Sequence, residues 1–213
     1  MRDRPEFGSM SSLGRGAIID RMRKGDLSVT PLLWTDQIGA ASVDLRMGNV
    51  VLIVRARGLS HVDPARHMKN DHERETDFQQ KLERYELPFK SRFLLHPGSL
   101  ALVPTLEWVS IPSNLMGIVT ARSTWAREGL SIATATLIEP SYQGIVTLEL
   151  ANLGEIPIAL YPGLQLAQIA FSNVEGSTKR PNKGQFELSF EPRQGKLANK
   201  SEIPFLPKNA TEP

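Results

Sequence analysis

The chain contains no cysteine. Disulfides, thiolate nucleophiles and cysteine-bound zinc sites are therefore excluded. No apolar run reaches about 18 residues, so no membrane-spanning helix is expected, and no secretory signal pattern opens the chain; a cytoplasmic protein is the expectation. Like charges never run to about five or six in succession, and Lys and Arg are scattered. With a net charge of +2, that scatter does not call for nucleic acid, even at a sequence pI near 9.0. A small local cluster for a phosphate-bearing molecule remains compatible with it. What is present is a chain of 213 residues, 40% of them hydrophobic, enough for one domain with a full core.

Residues 1–10 (MRDRPEFGSM) are polar, and EFGS resembles a cloning scar; they are expected to be disordered. Within 11–25, Ile18, Ile19 and Met22 fall at helical spacing and Gly25 marks a stop, which predicts a short amphipathic helix. LSVTPLL (27–33) reads as a strand broken by Pro31, which suits a sheet edge. In 39–49, Val43 and Leu45 alternate with Asp44 and Arg46, which predicts a wet strand face carrying an ion pair; 50–57 is a strand. The segment 58–90 is charged and poor in core residues, and reads as a long loop with or without a helical turn over 72–85. It holds His61, His67 and His72, but their spacing fits no single helix face and no metal-site pattern surrounds them.

Short strands return over 92–119 and 145–174. Pro97-Gly98, Pro104, Pro112, Gly117, Asn152 to Gly154 and Pro162-Gly163 read as the turns between them. The spacing predicts an all-β barrel or sandwich across 11–175. Beyond residue 176 the chain is polar and rich in Gly and Pro, with Phe186, Leu188 and Phe190 as isolated anchors, and reads as a tail able to fold over a site as a lid.

The most informative stretch is Thr120 to Leu150. A hydroxyl- and arginine-rich turn (ARSTWAREGL) precedes IVTLEL, in which Val146, Leu148 and Leu150 face one way and Ile145, Thr147 and Glu149 the other. A carboxylate between leucines either sits on a wet face or is held there for proton transfer. Arg122 can fork onto phosphate oxygens with Ser123 and Thr124 beside it, though the same turn also reads as an ordinary capped one.

Five segments in order, GAASVDLRMGN (39–49), LHPGSLALVPTLEWVSIP (95–112), ARSTWAREGL (121–130), IEPSYQGIVTLEL (138–150) and PIALYPGLQLAQIAF (157–171), resemble the dCTP deaminases, relatives of the trimeric dUTPases. The resemblance spans 13–174, with a weaker echo in GQFELSFEPRQGKLANKS (184–201). It implies a distorted β-barrel or jelly-roll-like dUTPase-type fold, a short N-terminal helix, and a homotrimer with active sites between subunits. It also implies that Arg122, Ser123 and Thr124 hold phosphates, that Arg127 stands beside the reacting base and water, and that Glu149 is the catalytic glutamate. Ala135, Ile138, Glu139 and Tyr142 fall where the family walls the sugar and base; Tyr142 reads equally as core. Gln168, Lys183, Arg193, Gln194 and Gly195 are weaker candidates for closing over the nucleotide.

The implied reaction is hydrolysis of dCTP to dUTP and ammonia, with Mg²⁺ carried mainly by the triphosphate and dTTP as an inhibitor that the resemblance allows. Zinc deaminases activate water with a His- and Cys-held metal, a route closed to a chain without cysteine. A carboxylate must then move the protons, its pKa raised by flanks such as Leu148 and Leu150 and moderated by a cation such as Arg127. The match departs at LSIATATL, one residue shorter than usual and without the family's frequent histidine, and at Glu139, where the family usually has Asp. Two alternatives stay open: a bifunctional enzyme that also cleaves dUTP to dUMP and pyrophosphate, and a regulatory nucleotide-binding protein without turnover.

Overall fold

A computed structural model of the chain describes residues 11–55, 61, 62, 64, 81–132, 135–176 and 188–192. Helix α1 (Arg15–Lys24) opens the fold; it buries Ile18 and ends at Gly25, whose φ of 78° is left-handed and whose N–H closes on the Met22 carbonyl. Arg21, Arg23 and Lys24 fill its last turn, where cations favour the helix dipole. Strands follow: β1 (Ser28–Thr30), β2 (Val43–Arg46), β3 (Val50–Val54), β4 (Leu82–Glu86), β5 (Phe93–Leu95), β6 (Leu100–Ser110) and β7 (Leu115–Ala121). A short helix α2 (Ser123–Arg127) leads to β8 (Leu130–Ile132), β9 (Leu137–Ile138), β10 (Gln143–Asn152), β11 (Ile158–Leu160) and β12 (Gln165–Asn173).

These strands build an all-β-dominated fold. The larger sheet runs β4-β3-β6-β10-β8 with β1 also on β6, the second runs β2-β12-β7-β9, and β5 pairs with β11. One hydrophobic core lies between them, drawing Val103, Val146, Leu148 and Leu150 from the first sheet and Val43, Leu45, Ile169 and Phe171 from the second. Strand β10 contributes by alternation: Val146, Leu148 and Leu150 are buried while Thr147 and Glu149 are half-buried on the other face. Among the described residues no helix is long and apolar enough to cross a membrane.

The inward row of β6 is Ala101, Val103, Thr105, Glu107 and Val109, so a carboxylate stands in the core. Arg46 of the other sheet answers it: Nε donates to Glu107 Oε1 at 2.6 Å and the backbone N–H to Oε2 at 2.8 Å. The two side chains are 2% and 0% exposed. Gln37, in a 3₁₀ turn (Thr35–Gln37), donates to the same Oε1 and to the Asp44 carbonyl, both at 2.9 Å. Arg46 Nη2 donates to the Pro31 carbonyl, and the Trp34 ring faces the guanidinium with its centroid 5.9 Å from Cζ.

Several sequence expectations change here. Asp44 and Arg46 form neither a wet face nor an ion pair with each other; the register shifts opposite them, between Gln165 and Ala167 of β12, so strict alternation fails and Arg46 turns into the core. Pro104 lies inside β6 rather than at a turn. Its missing N–H is tolerated where β10 shifts register between Ile145 and Thr147, and its carbonyl accepts the Gly48 N–H. Gly117 lies inside β7, where a Cβ would come within 2.8 Å of Ile169 Cδ1 and 3.2 Å of Ile138 Cβ; close packing, not a turn, requires it. The charged 58–90 segment contains β4, an edge strand paired residue for residue with β3, where a loop or helical turn was expected.

The described part of the tail joins the start of β10: Leu188 N–H donates to the Gln143 carbonyl, Ile145 N–H to the Ser189 carbonyl, and the Phe190 ring rests on Trp108 with centroids 4.8 Å apart. Phe186 lies outside the described residues.

Removing one partner of a buried ion pair strands the other charge. Glu107→Ala is expected to cost about 3–5 kcal/mol, read from the midpoint of urea unfolding; an unchanged midpoint would refute the role given to this pair.

Candidate active site

Helix α2 is the step from one sheet to the other, since β7 before it belongs to the second sheet and β8 after it pairs with β10 of the first. Its start is pinned by backbone: Arg122 N–H donates to the Leu166 carbonyl, and the Arg122 carbonyl accepts from Trp125 and Ala126. Trp125 turns inward, its ring against the core and its Nε1 donating to the Gln165 carbonyl at 2.9 Å. The other side chains of the turn, Ser123, Thr124 and Arg127, are left exposed. At the far end Gly129 takes φ 85°, and a Cβ there would meet the Gly154 backbone nitrogen at 2.7 Å, so α2 docks tightly on the turn after β10.

Arg122 is held from the side. Its Nη1 donates to Asp44 Oδ2 and to Gln165 Oε1, the latter at 2.7 Å. Burial raises the Asp44 carboxyl above the ordinary carboxylate range, against the opposing pull of Arg122. Asp44, Gln168 and Thr120 stand in register across β2, β12 and β7, with Gln168 donating to Thr120 Oγ1 and accepting from Ser42. A groove of about 470 Å³ opens beside this row, lined by Arg122, Thr124, Trp125, Glu128, Gly163, Leu164 and Gln165.

Glu149 lies on β10 opposite Leu102 of β6, one residue from the Leu150–Ile132 pair that ties β10 to β8. Burial raises its pKa, and a hydrogen bond from the Ala135 backbone pulls the other way. Arg127, the expected moderating cation, does not enter this balance. Within the chain Arg127 takes no part; it stands exposed, without a hydrogen-bond partner among the described residues, and the Ala135 backbone supplies the lowering contribution instead. Leu148 and Leu150 also point to the opposite, core face, so desolvation comes from Glu149's own face, where Leu102 is its cross-strand neighbour.

The remaining candidates separate by position. Ala135 and Glu139 are exposed on the segment leading into and out of β9, whereas Ile138 is buried in the core against Gly117. Tyr142 packs its ring on the core and donates its hydroxyl to the Ile145 carbonyl, which accounts for it structurally. Lys183, Arg193, Gln194 and Gly195 lie outside the described residues, as do His67 and His72. Among the described residues no three His, Cys, Asp or Glu side chains gather as a metal site. That Asp44 and Gln165 are the partners of Arg122 is what sequence reasoning missed, because nothing in linear spacing joins position 44 to position 122.

A held arginine beside a groove and a half-buried carboxylate thus stand on one β-sheet fold. The crystal structure of 2'-deoxycytidine 5'-triphosphate deaminase from Agrobacterium tumefaciens matches with a TM-score of 0.59 at 23% identity, over 78% of this chain and 48% of that chain. The family described as dCTP deaminase-like matches residues 12–174. A dCTP deaminase of Pectobacterium atrosepticum is 35% identical over 83% of this chain and 91% of its own length. A dUMP-forming dCTP deaminase of Dictyoglomus turgidum is 33% identical over 81% of this chain and 84% of its own. The chain belongs to the dCTP deaminase-like family.

The raised pKa of Glu149 has a stability consequence. The folded state binds its proton more tightly than the unfolded chain, so this stabilisation is full below the unfolded carboxylate pKa and is lost as pH rises through the folded value. Glu149→Gln is therefore expected to melt above the parent at neutral pH, by a margin limited by the carboxyl's partial exposure to solvent. The gap should close as pH falls below the ordinary carboxylate range. A variant that melts lower than the parent at pH 7 would contradict this.

Proposed function

We propose that this chain hydrolyses dCTP to dUTP and ammonia, with Glu149 as general base and then general acid. The observation that supports the reading best is the Glu149 carboxyl: half-buried, with its pKa raised by burial and its position set by the Ala135 backbone. A carboxyl raised toward the working pH both takes and returns a proton readily. In the proposed step a water attacks C4 of the cytosine as Glu149 accepts its proton. Glu149 delivers that proton to ring N3, then takes the remaining hydroxyl proton and hands it to the departing amine as the tetrahedral intermediate collapses, leaving a C4 carbonyl, an N3–H and ammonia; one water is consumed and no oxidant is needed.

Arg127, exposed at the end of α2, is assigned to the reacting base and water. Its charge would stabilise the oxyanion character that develops as water attacks. Arg122 with Ser123 and Thr124 is assigned to the phosphates, an anion-suited set in which Arg122 and Thr124 line the groove. Mg²⁺ arriving with the triphosphate would screen phosphate charge and rest mainly on phosphate oxygens, a role that needs few protein ligands. The assembly proposed is a homotrimer with sites between subunits, in which exposed Arg127 would reach a neighbour's site.

A second reading has one observation in its favour. The Dictyoglomus turgidum relative is a dUMP-forming dCTP deaminase, so cleavage of the product to dUMP and pyrophosphate is the activity to test alongside. Glu139, exposed before Pro140, is the carboxylate the second reading would use on the phosphate chain.

Incubation with dCTP and Mg²⁺ followed by product separation tests both readings. Ammonia with dUTP supports the first and pyrophosphate with dUMP the second. Glu149→Gln is expected to lower ammonia release by at least about 10²- to 10⁴-fold, the range for a positioned acid–base group. Ammonia production that survives this substitution would overturn the mechanism.

A further inference from the structure

The guanidinium of Arg122 carries five N–H donors in a rigid plane. Both donors of Nη1 are used within the protein, one on Asp44 Oδ2 and one on Gln165 Oε1. Nε and Nη2 have no partner among the described residues. Those two nitrogens present parallel N–H bonds along one edge of the plane, the geometry that meets two oxygens of a phosphate at once. The side chain is partly buried, at 33% exposure, and Asp44 is more so at 19%. The guanidinium is thus clamped at one corner and open along one edge.

The clamp is itself anchored. Asp44 lies on β2 two residues before Arg46, and Gln37 binds both the Asp44 carbonyl and Glu107, so the Asp44 backbone is tied to the buried ion pair. Gln165 is fixed by its carbonyl, which accepts the Trp125 indole N–H, and by its place opposite Arg46 in the β2–β12 register. Both groups that hold Arg122 therefore stand on sheet strands, whereas Arg122 itself sits on the connection between β7 and α2. An arginine on a connection has many rotamers to lose on binding an anion, and a carboxylate that selects one of them beforehand removes that cost.

We propose that Asp44, with Gln165, is a positioning residue that fixes the Arg122 guanidinium so that its Nε/Nη2 edge faces the nucleotide phosphates. The proposal rests on the assignment of Arg122 to the phosphates. Asp44 and Gln165 act through Arg122, so their loss should weaken triphosphate binding without slowing turnover at saturation. The preference for dCTP over dCMP, which lacks the outer phosphates, should fall by the same factor.

Steady-state kinetics of the full chain on dCTP and dCMP test this. Asp44→Ala is expected to raise KM for dCTP about tenfold, in line with loss of a charge-assisted contact, with kcat held within about twofold. Gln165→Ala is expected to raise it less. In Asp44→Ala, adding Gln165→Glu places a carboxylate on the same Nη1 and should recover most of the lost affinity, a rescue that a merely structural role for Asp44 would not show. Arg122→Ala separates the two layers of the argument: no effect of Arg122→Ala on the KM for dCTP would overturn the phosphate assignment and this proposal with it. A raised KM in Arg122→Ala beside an unchanged one in Asp44→Ala and Gln165→Ala would overturn the proposal alone. A fall in kcat and melting temperature together in Asp44→Ala, without rescue by Gln165→Glu, would reduce Asp44 to a structural residue and overturn it as well.

Discussion

Glu107 and Arg46 meet in the middle of the core, one from each large sheet, and the arrangement of the site follows from that meeting. A buried carboxylate and guanidinium are tolerable only when their lone pairs and protons are matched, and here Glu107 receives the Arg46 side chain, the Arg46 backbone and Gln37. Pairing the two charges holds β2 against β6 across the core, with Arg46 Nη1 the one buried side-chain donor left without a partner among the described residues. Asp44, two residues away on β2, then stands at a defined position on the sheet's other surface, where it takes Nη1 of Arg122. The ion pair in the core and the Arg122–Asp44 ion pair beside the groove are thus linked through three residues of one strand.

The second organising element is α2, which is only five residues long and yet carries the chain from one sheet to the other. Trp125 anchors it from below and Gly129 ends it against the Gly154 backbone. Its polar side chains are left outward, next to the groove. Glu149 belongs to the opposite sheet, yet the strand that follows α2 pairs with β10 beside it, and the Ala135 backbone a few residues further reaches the carboxyl. Arg122 and Glu149 therefore sit in different electrostatic settings: a charge held by an opposite charge at Arg122, and a charge disfavoured by desolvation at Glu149.

Where local pattern and tertiary register agree, the elements were readable from residues. Helix α1 with its glycine stop, the edge strand broken at Pro31, the alternation of IVTLEL and the turn at Pro162-Gly163 all follow rules of one residue and its near neighbours. The misreadings fall where distant strands intervene. Pro104 and Gly117 look like turn residues because both usually are; inside β6 and β7 they answer instead to a register shift on β10 and to the crowding of Ile169 and Ile138. Arg46 reads as solvated because alternation says so, and it is buried because β12 carries an extra residue opposite it.

Order and composition of short motifs were enough to establish the fold class, the family and the absence of any thiol chemistry, since each of these depends on what the side chains are and on spacing within a strand or turn. The partners of those residues were not. That Arg122 is clamped by Asp44 and Gln165, that Arg46 serves Glu107 across two sheets, and that a backbone amide rather than Arg127 balances Glu149 within the chain depend on contacts between segments tens of residues apart. Such contacts arise from sheet register and from the need to pair buried charge, and neither is written at any one place along the chain.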